Sequence, residues 1–357
     1  MSLVRRVCQC GAELLRCEKC GAEHLFSLYE KMDIALSEDC NLKCIMCRRQ
    51  EDAARLDKEE VLAVFREASA IGMKVVSFCG GEPFMHPAML DLVEGAVELG
   101  LKVQLTTNGT LVTPERIKRL RGLDCMTVSI DAPGELHDQI RGLPGTYEKA
   151  CRALVLAADE GITRGTNTVI QRDNAESLWD LFEELMDVTD GRLQYVRHAP
   201  VEVVPETADL MVTDEQVPLV QEQLRRIAAA CDERDVYFSH RKQLLEHLPL
   251  YLDKWTRHRP LGGCAIPRKF VGYSHLGFYL CWHQGRSIRA NGLVEALESE
   301  VALETLREAA ASECVGCNAL TYSWDEEWNE GILRGKLVRD EHLPDPQTQI
   351  HGQWDAD

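Results

Sequence analysis

Residues 74–109 read KVVSFCGGEPFMHPAMLDLVEGAVELGLKVQLTTNG, and this stretch decides the fold class. It opens on a β-branched, apolar run over 74–78, then breaks at Gly80-Gly81-Glu82-Pro83. A helical segment follows over 88–99 and stops at Gly100. An extended run over 102–105 then closes on Thr106-Thr107-Asn108-Gly109. Strand, polar loop, helix and strand in that order form a βα crossover, which points to parallel pairing.

Outward from this unit the same alternation repeats. A short strand is expected over 33–36 and a helix over 57–72, with Val61, Leu62, Phe65 and Ala68 at helical spacing and Gly72 at its end. Downstream, Thr113 caps a helix with Pro114 at its first position. Strands are expected over 126–130, 166–170 and 193–196, and helices over 146–160 and 175–188. That makes about six βα units between residues 33 and 200. Right-handed crossovers make a barrel natural. The expected fold is α/β, a partial (β/α)6 TIM-like barrel, and chemistry in such barrels collects at the C-terminal ends of the strands.

The remaining chain divides around that core. Residues 1–32 are a cysteine-rich, zinc-ribbon-like element and 33–205 the barrel. Residues 206–258 are a linking segment, with helices near 214–231 and 243–255. Residues 259–321 form a small glycine- and cysteine-rich α+β unit, and 322–357 an acidic tail with Trp324, Trp328 and Trp354. At 357 residues and 45% hydrophobic, the chain can bury a sizeable core. Forty basic against fifty-eight acidic residues leave a net charge of −18, which argues against a nucleic-acid partner. Neither a membrane-spanning apolar run nor a signal peptide is found, so a cytoplasmic location is expected.

Fifteen cysteines are too many for chance in a chain of this kind. Without an export signal they read as metal or cluster ligands rather than disulfides. Eleven fall into three groups: Cys8, Cys10, Cys17 and Cys20; Cys40, Cys44 and Cys47; and Cys264, Cys281, Cys314 and Cys317. The other four, Cys79, Cys125, Cys151 and Cys231, read as small buried hydrophobes. Cys40-x3-Cys44-x2-Cys47 follows the first strand. Three thiolates on a short loop can hold three irons of a [4Fe–4S] cube and leave the fourth open.

Here the sequence resembles the radical S-adenosylmethionine (SAM) superfamily, over residues 33–200 and with its motifs in order. Cys40, Cys44 and Cys47 match the cluster ligands of that family. Gly80, Gly81, Glu82 and Pro83 match the GGEP loop that binds the amino group of SAM, with Glu82 offering its carboxylate to the ammonium. Asn108 matches the third-strand motif, Ser129 and Asp131 the fourth-strand positions near the carboxylate and ribose of SAM, and Asn167 a fifth-strand contact. Met46 occupies a place that borders the adenine. Arg141-Gly142, with Gly145 beyond, matches a segment on the substrate side.

The resemblance extends past the barrel. Cys264, Cys281, Cys314 and Cys317 are similar in order to the truncated "twitch" domain, which carries an auxiliary [4Fe–4S] cluster. The longer SPASM version needs more cysteines than remain, and a structural zinc ribbon is the competing reading. For Cys8, Cys10, Cys17 and Cys20 a small Zn²⁺ site is preferred over a third cluster.

The resemblance implies an oxidoreductase that cleaves SAM reductively to a 5′-deoxyadenosyl radical, abstracts hydrogen from a small molecule, and draws electrons from a flavodoxin- or ferredoxin-type donor. Residues 1–32 are too short for the leader-binding domain of peptide-modifying members, which favours a sugar, aminocyclitol or nucleoside. Peptide modification or cofactor maturation is the alternative, and a non-catalytic metal-binding interaction module the reading outside enzymes. Arg141, Arg197 and His198 are the candidates to contact substrate, since they sit at strand or loop ends facing the expected cavity. An oxidised second cluster taking an electron from the substrate radical implies a net oxidation, against a redox-neutral epimerisation or rearrangement.

Overall fold

The computed structural model describes residues 29–47, 54–201, 205–239, 241, 244–245, 270–281, 286–302 and 304–305. The N-terminal cysteines, Cys264, Cys314, Cys317, the segment 246–269 and the acidic tail lie outside these residues.

Among the described residues nine strands form one sheet: β1 (Lys31–Ala35), β2 (Val75–Cys79), β3 (Lys102–Thr107), β4 (Cys125–Ser129), β5 (Arg164–Ile170), β6 (Tyr195–Pro200), β7 (Tyr237–Ser239), β8 (Phe270–Ser274) and β9 (Gly277–Tyr279). Their order is β7-β6-β5-β4-β3-β2-β1-β8-β9. Every pairing of these strands is parallel except the β8–β9 hairpin. Among the described residues β7 and β9 are the sheet's edges, so the barrel is partial. The helices between strands are α1 (Lys58–Ala70), α2 (Met89–Glu98), α3 (Pro114–Lys118), α4 (Gly134–Arg141), α5 (Thr146–Asp159), α6 (Leu178–Val188) and α7 (Val217–Glu233), with α8 (Leu293–Leu297) after the hairpin.

Local chemistry accounts for the elements. In α1 the Asp57 carboxylate accepts from the Glu59 and Glu60 amides at the N-cap, and Val61, Val64, Phe65 and Ala68 form its buried stripe. The chain leaves α1 through Gly72, at φ +87°. Thr113 caps α3 through the Arg116 amide, with Pro114 at the first helical position as expected.

The two faces of the sheet differ. Met32, Ile34, Val76, Phe78, Val103, Leu105, Met126 and Val128 face the helices and join one large apolar core, in which Phe65 meets Phe78 edge-to-face at 6.0 Å. The alternate residues turn into the barrel. Each buried side chain of this size stabilises the fold by about 1.5–3 kcal/mol, which makes the helix-facing layer the scaffold for the lumen.

Two elements escaped the sequence reading. The helix α4 has little apolar stripe, and its buried residues are His137, Ile140 and Arg141. The strand β7 has only three residues, inside the expected linking segment, but pairs in register with Tyr195–Arg197. The hairpin of the C-terminal unit continues the sheet, because β8 pairs in parallel with β1.

Candidate active site

The loops that follow β1 to β4 meet at one end of the barrel, where the strand C-termini converge. Cys40 and Cys44 are half-buried and Cys47 is exposed, whereas Cys125, Cys151 and Cys231 are buried. Burial pushes the Cys125 thiol up to about 12 and that of Cys151 to about 11, so both stay protonated. Both are inert core residues, as is Cys231 by its burial. Cys79 is half-buried at the end of β2, where the sequence suggested a buried hydrophobe.

The cysteine loop is held by its neighbours. The amide of Gly81 donates to the Ser37 carbonyl at 3.0 Å and that of Glu82 to the Asp39 carbonyl at 2.7 Å, zipping the GGEP loop onto the approach to Cys40. On the other side the Asn108 side-chain amide donates to Asn41 Oδ1 at 2.9 Å and reaches Cys40 Sγ at 3.9 Å. Asn41 in turn donates to Thr110 Oγ1 at 2.8 Å. Asn108 therefore orients the cysteine loop.

Glu82 is turned inward. Its carboxylate is 1% exposed and accepts from Thr107 Oγ1 at 2.7 Å, the Asn108 amide at 2.8 Å and the Phe84 amide at 3.2 Å. Burial pushes its carboxyl above the usual carboxylate range, against the pull of those donors. The carboxylate ties β2's loop to β3's loop. Glu82→Ala strands the Thr107 hydroxyl and the Asn108 amide, each at about 1–3 kcal/mol. Urea unfolding should show a loss above ~1 kcal/mol, and a smaller loss would refute the tie.

Asp131 is also turned inward. It is fully buried; Oδ1 accepts from the Val169 amide at 2.9 Å and Oδ2 pairs with Arg141 Nη2 at 2.7 Å. Its own amide donates to His137 Nδ1 at 3.1 Å. Burial pushes His137 down to about 3, which keeps the ring neutral and able to accept. Arg141, expected on the substrate side, is 8% exposed and points its other nitrogen at Cys44 Sγ, at 3.7 Å. These two residues are engaged with each other and, through Arg141, with the cysteine loop.

The lumen face holds the rest. Ser129 pairs with Asn167, Asn167 with Arg197 and Arg197 with Ser239, so four polar side chains form one lateral row on β4 to β7. The row beneath is Thr127, Gly165, Tyr195 and Tyr237. Tyr195 is 1% exposed, and its hydroxyl lies 2.9 Å from Cys125 Sγ. A side chain at Gly165 would meet the Tyr195 ring at 2.4 Å, so glycine there lets the ring floor the site. His198 is not part of this row. It pairs with Thr168 on the opposite face, is 4% exposed and lies 5.2 Å from the Phe238 ring in the apolar core. Burial pushes it down to about 4, so it is neutral near pH 7. Arg197 therefore sits on the lumen row, and His198 on the opposite face of β6.

Sequence reading missed Asn41, Thr107, His137 and Asp138. Asp138 accepts from the Gly145 amide at 2.6 Å, Thr146 Oγ1 at 2.7 Å and the Tyr147 amide at 2.8 Å, fixing the turn into α5. Polar residues inside the short helix α4 were the available signal.

A sulfur-ligated cluster fits what is present. The three thiols of the loop are at least partly exposed, and an Asn amide and an Arg guanidinium are aimed at two of the sulfurs. Among the described residues no three of His, Cys, Asp or Glu converge on a single ion. A cube needs no such convergence, because each thiolate takes a different iron.

Residues 34–185 match the family model of the Radical SAM superfamily, so this part of the chain is a Radical SAM domain. Such domains use a [4Fe–4S] cluster and SAM. The chain is 34% identical over 155 residues to the AdoMet-dependent heme synthase of Methanosarcina barkeri, a match covering 42% of this chain and 44% of that protein. It is 30% identical over 166 residues to the PqqA peptide cyclase of Gluconobacter oxydans, covering 44% and 46% respectively. The chain thus spans less than half the length of these curated relatives. In fold it is similar to native anSMEcpe with bound AdoMet and a peptide, with a TM-score of 0.63 at 18% identity, covering 85% of this chain and 97% of that one. Neither curated relative is named for a sugar or an aminocyclitol. Among the described residues no helix is long and apolar enough to cross a membrane.

Proposed function

We propose that this protein is a radical SAM oxidoreductase in which Cys40, Cys44 and Cys47 hold the cluster that binds SAM. When bound, the cluster and SAM supply a 5′-deoxyadenosyl radical by reductive cleavage, with methionine as the other product. The single observation that carries this reading is the open three-cysteine loop at the strand ends, held by the Gly81 backbone and the Asn108 side chain. Anaerobically reconstituted protein given dithionite and SAM should form 5′-deoxyadenosine; no product at full iron loading overturns the reading. A flavodoxin- or ferredoxin-type protein is the proposed physiological donor.

The chain's own residues shape how SAM and substrate are held. Met46 lies half-buried in the cysteine loop, where it would border the adenine. Ser129 and Asn167 would face SAM on the lumen row, with Arg197 beside them to anchor an anionic group of the substrate. Tyr195 closes the lumen below and keeps the reacting carbon near the strand ends.

The heme synthase relative favours a cofactor-maturation substrate over a sugar or aminocyclitol, and the peptide cyclase keeps peptide modification as the second reading. A panel of one tetrapyrrole, one nucleotide and one peptide, scored by 5′-deoxyadenosine formed above the uncoupled rate, separates these classes.

The net reaction we infer is a two-electron oxidation. A second cluster, where held, would supply the acceptor for the substrate's second electron after hydrogen abstraction has taken the first, with the proton passing to solvent. Cys281, half-buried just after β9, would ligate that cluster together with Cys264, Cys314 and Cys317, which lie outside the described residues. Cys314→Ala with Cys317→Ala should still cleave SAM but return substrate carrying solvent hydrogen. A wild-type product at the oxidation level of its substrate would sink this assignment.

A further inference from the structure

A buried charge pair sits against the cysteine loop with no structural need for its second arm. Arg141 ends α4 and Asp131 follows β4; the Asp131 side chain is fully buried and that of Arg141 only 10% exposed. Taking both charges out of water is costly, and the Nη2–Oδ2 contact of 2.7 Å gives each charge its partner. If neutralisation were the sole purpose, both guanidinium nitrogens would turn to the carboxylate in the usual bidentate manner. They do not. Oδ1 of Asp131 is taken by the Val169 amide on β5, and Nη1 of Arg141 goes to Cys44 Sγ at 3.7 Å.

The backbone around this contact is fixed independently. The Ile45 amide donates to the Ile140 carbonyl at 3.0 Å, joining the cysteine loop to the last turn of α4. Gly142, at φ +74°, packs so closely that a side chain there would meet the Lys43 carbonyl at 2.6 Å. The α4 terminus and the loop are therefore in register, and Arg141 is delivered to Cys44 whether or not its side chain bonds there. The guanidinium adds a charge, not a brace.

We propose that Arg141 is a positioning residue aimed at Cys44, and that the Arg141–Asp131 pair sets the reduction potential of the cluster held by the Cys40 loop. Hydrogen bonds and charge at ligand sulfurs are among the main controls on such potentials. The reduced form carries one more negative charge than the oxidised form. A buried cation at one sulfur stabilises it and raises the potential, while the carboxylate behind that cation moderates the effect. The two side chains act with opposite sign, and this distinguishes tuning from simple support of the loop. The inference rests on the proposed cluster at Cys40, Cys44 and Cys47.

The test is a redox titration of the full chain, reconstituted anaerobically and followed by electron paramagnetic resonance. The signal lost in the Cys40→Ala, Cys44→Ala, Cys47→Ala triple variant marks the relevant cluster. If that variant loses no signal, the cluster assignment fails, separately from the present inference. With the signal identified, Arg141→Gln should load the same iron and titrate at a more negative potential. Asp131→Asn should move it to a more positive one. Arg141→Lys keeps the charge and should recover most of the Arg141→Gln shift. If Arg141→Gln does not load iron, Asp131→Asn carries the test, with a positive shift. An unchanged potential in iron-loaded Arg141→Gln, or in Asp131→Asn where Arg141→Gln does not load iron, overturns the proposal. So does a shift of the same sign in the Arg141 and Asp131 variants.

Discussion

Replacing Cys40, Cys44 and Cys47 together by Ala will abolish 5′-deoxyadenosine formation and leave the fold standing. None of the three belongs to the apolar core, and all are at least partly open to solvent. Their removal creates no large cavity, so the unfolding midpoint should change little, as for substitutions away from buried features. The chemistry has no substitute elsewhere among the described residues. Cys125 and Cys151 are buried with thiols pushed far above neutrality, and Cys231 is sealed in the core. Cys79 ends β2 within reach of the Asp33 charge, and burial drives its thiol well up. The expected readouts are a loss of about four irons per chain by metal analysis, an unaltered far-ultraviolet dichroism spectrum, and no 5′-deoxyadenosine. Retained SAM cleavage in the triple variant would falsify the assignment.

Much of this was legible in the chain, and the rest was not for identifiable reasons. Parallel strands covered by helices read as short apolar runs, so β2, β3 and β4 stood out. The strand β7 did not, because three residues carry no period and its pairing with β6 is set by the fold around it. The loops at Gly80 and Asn108 were found at the strand ends where the site lies. What their side chains grip was hidden, since the partners of Glu82 come from residues 84, 107 and 108 and exist only once the loops have met. The burial that turns Asp131 and Arg141 toward each other is likewise a tertiary property. One miss was avoidable. Arg197 and His198 are adjacent in a strand, and successive side chains point to opposite faces, so both could never face one cavity.

Gly81→Ala should cost the protein its SAM-binding cluster even though no ligand is touched. A methyl group on Gly81 would lie 2.0 Å from the Asp39 carbonyl oxygen and 2.7 Å from that of Glu38. Both obstacles are backbone, so no side-chain rotation relieves them. The same backbone accepts the Glu82 amide at 2.7 Å, and Cys40 is the next residue after Asp39. Accommodating the methyl group therefore means parting the two loops, breaking that hydrogen bond and displacing Cys40 from the Asn108 amide. Gly72→Ala is the control, because Gly72 has a positive φ, at +87°, but nothing within 4 Å of an added methyl group. It should cost only about 1–2 kcal/mol, the usual penalty of a left-handed non-glycine residue, with iron loading unchanged. Gly81→Ala should instead lose most of the iron attributable to the Cys40 loop and nearly all SAM cleavage, with the helical content retained. If it loads iron and turns over like Gly72→Ala, the contact between the two loops does not govern where Cys40 stands.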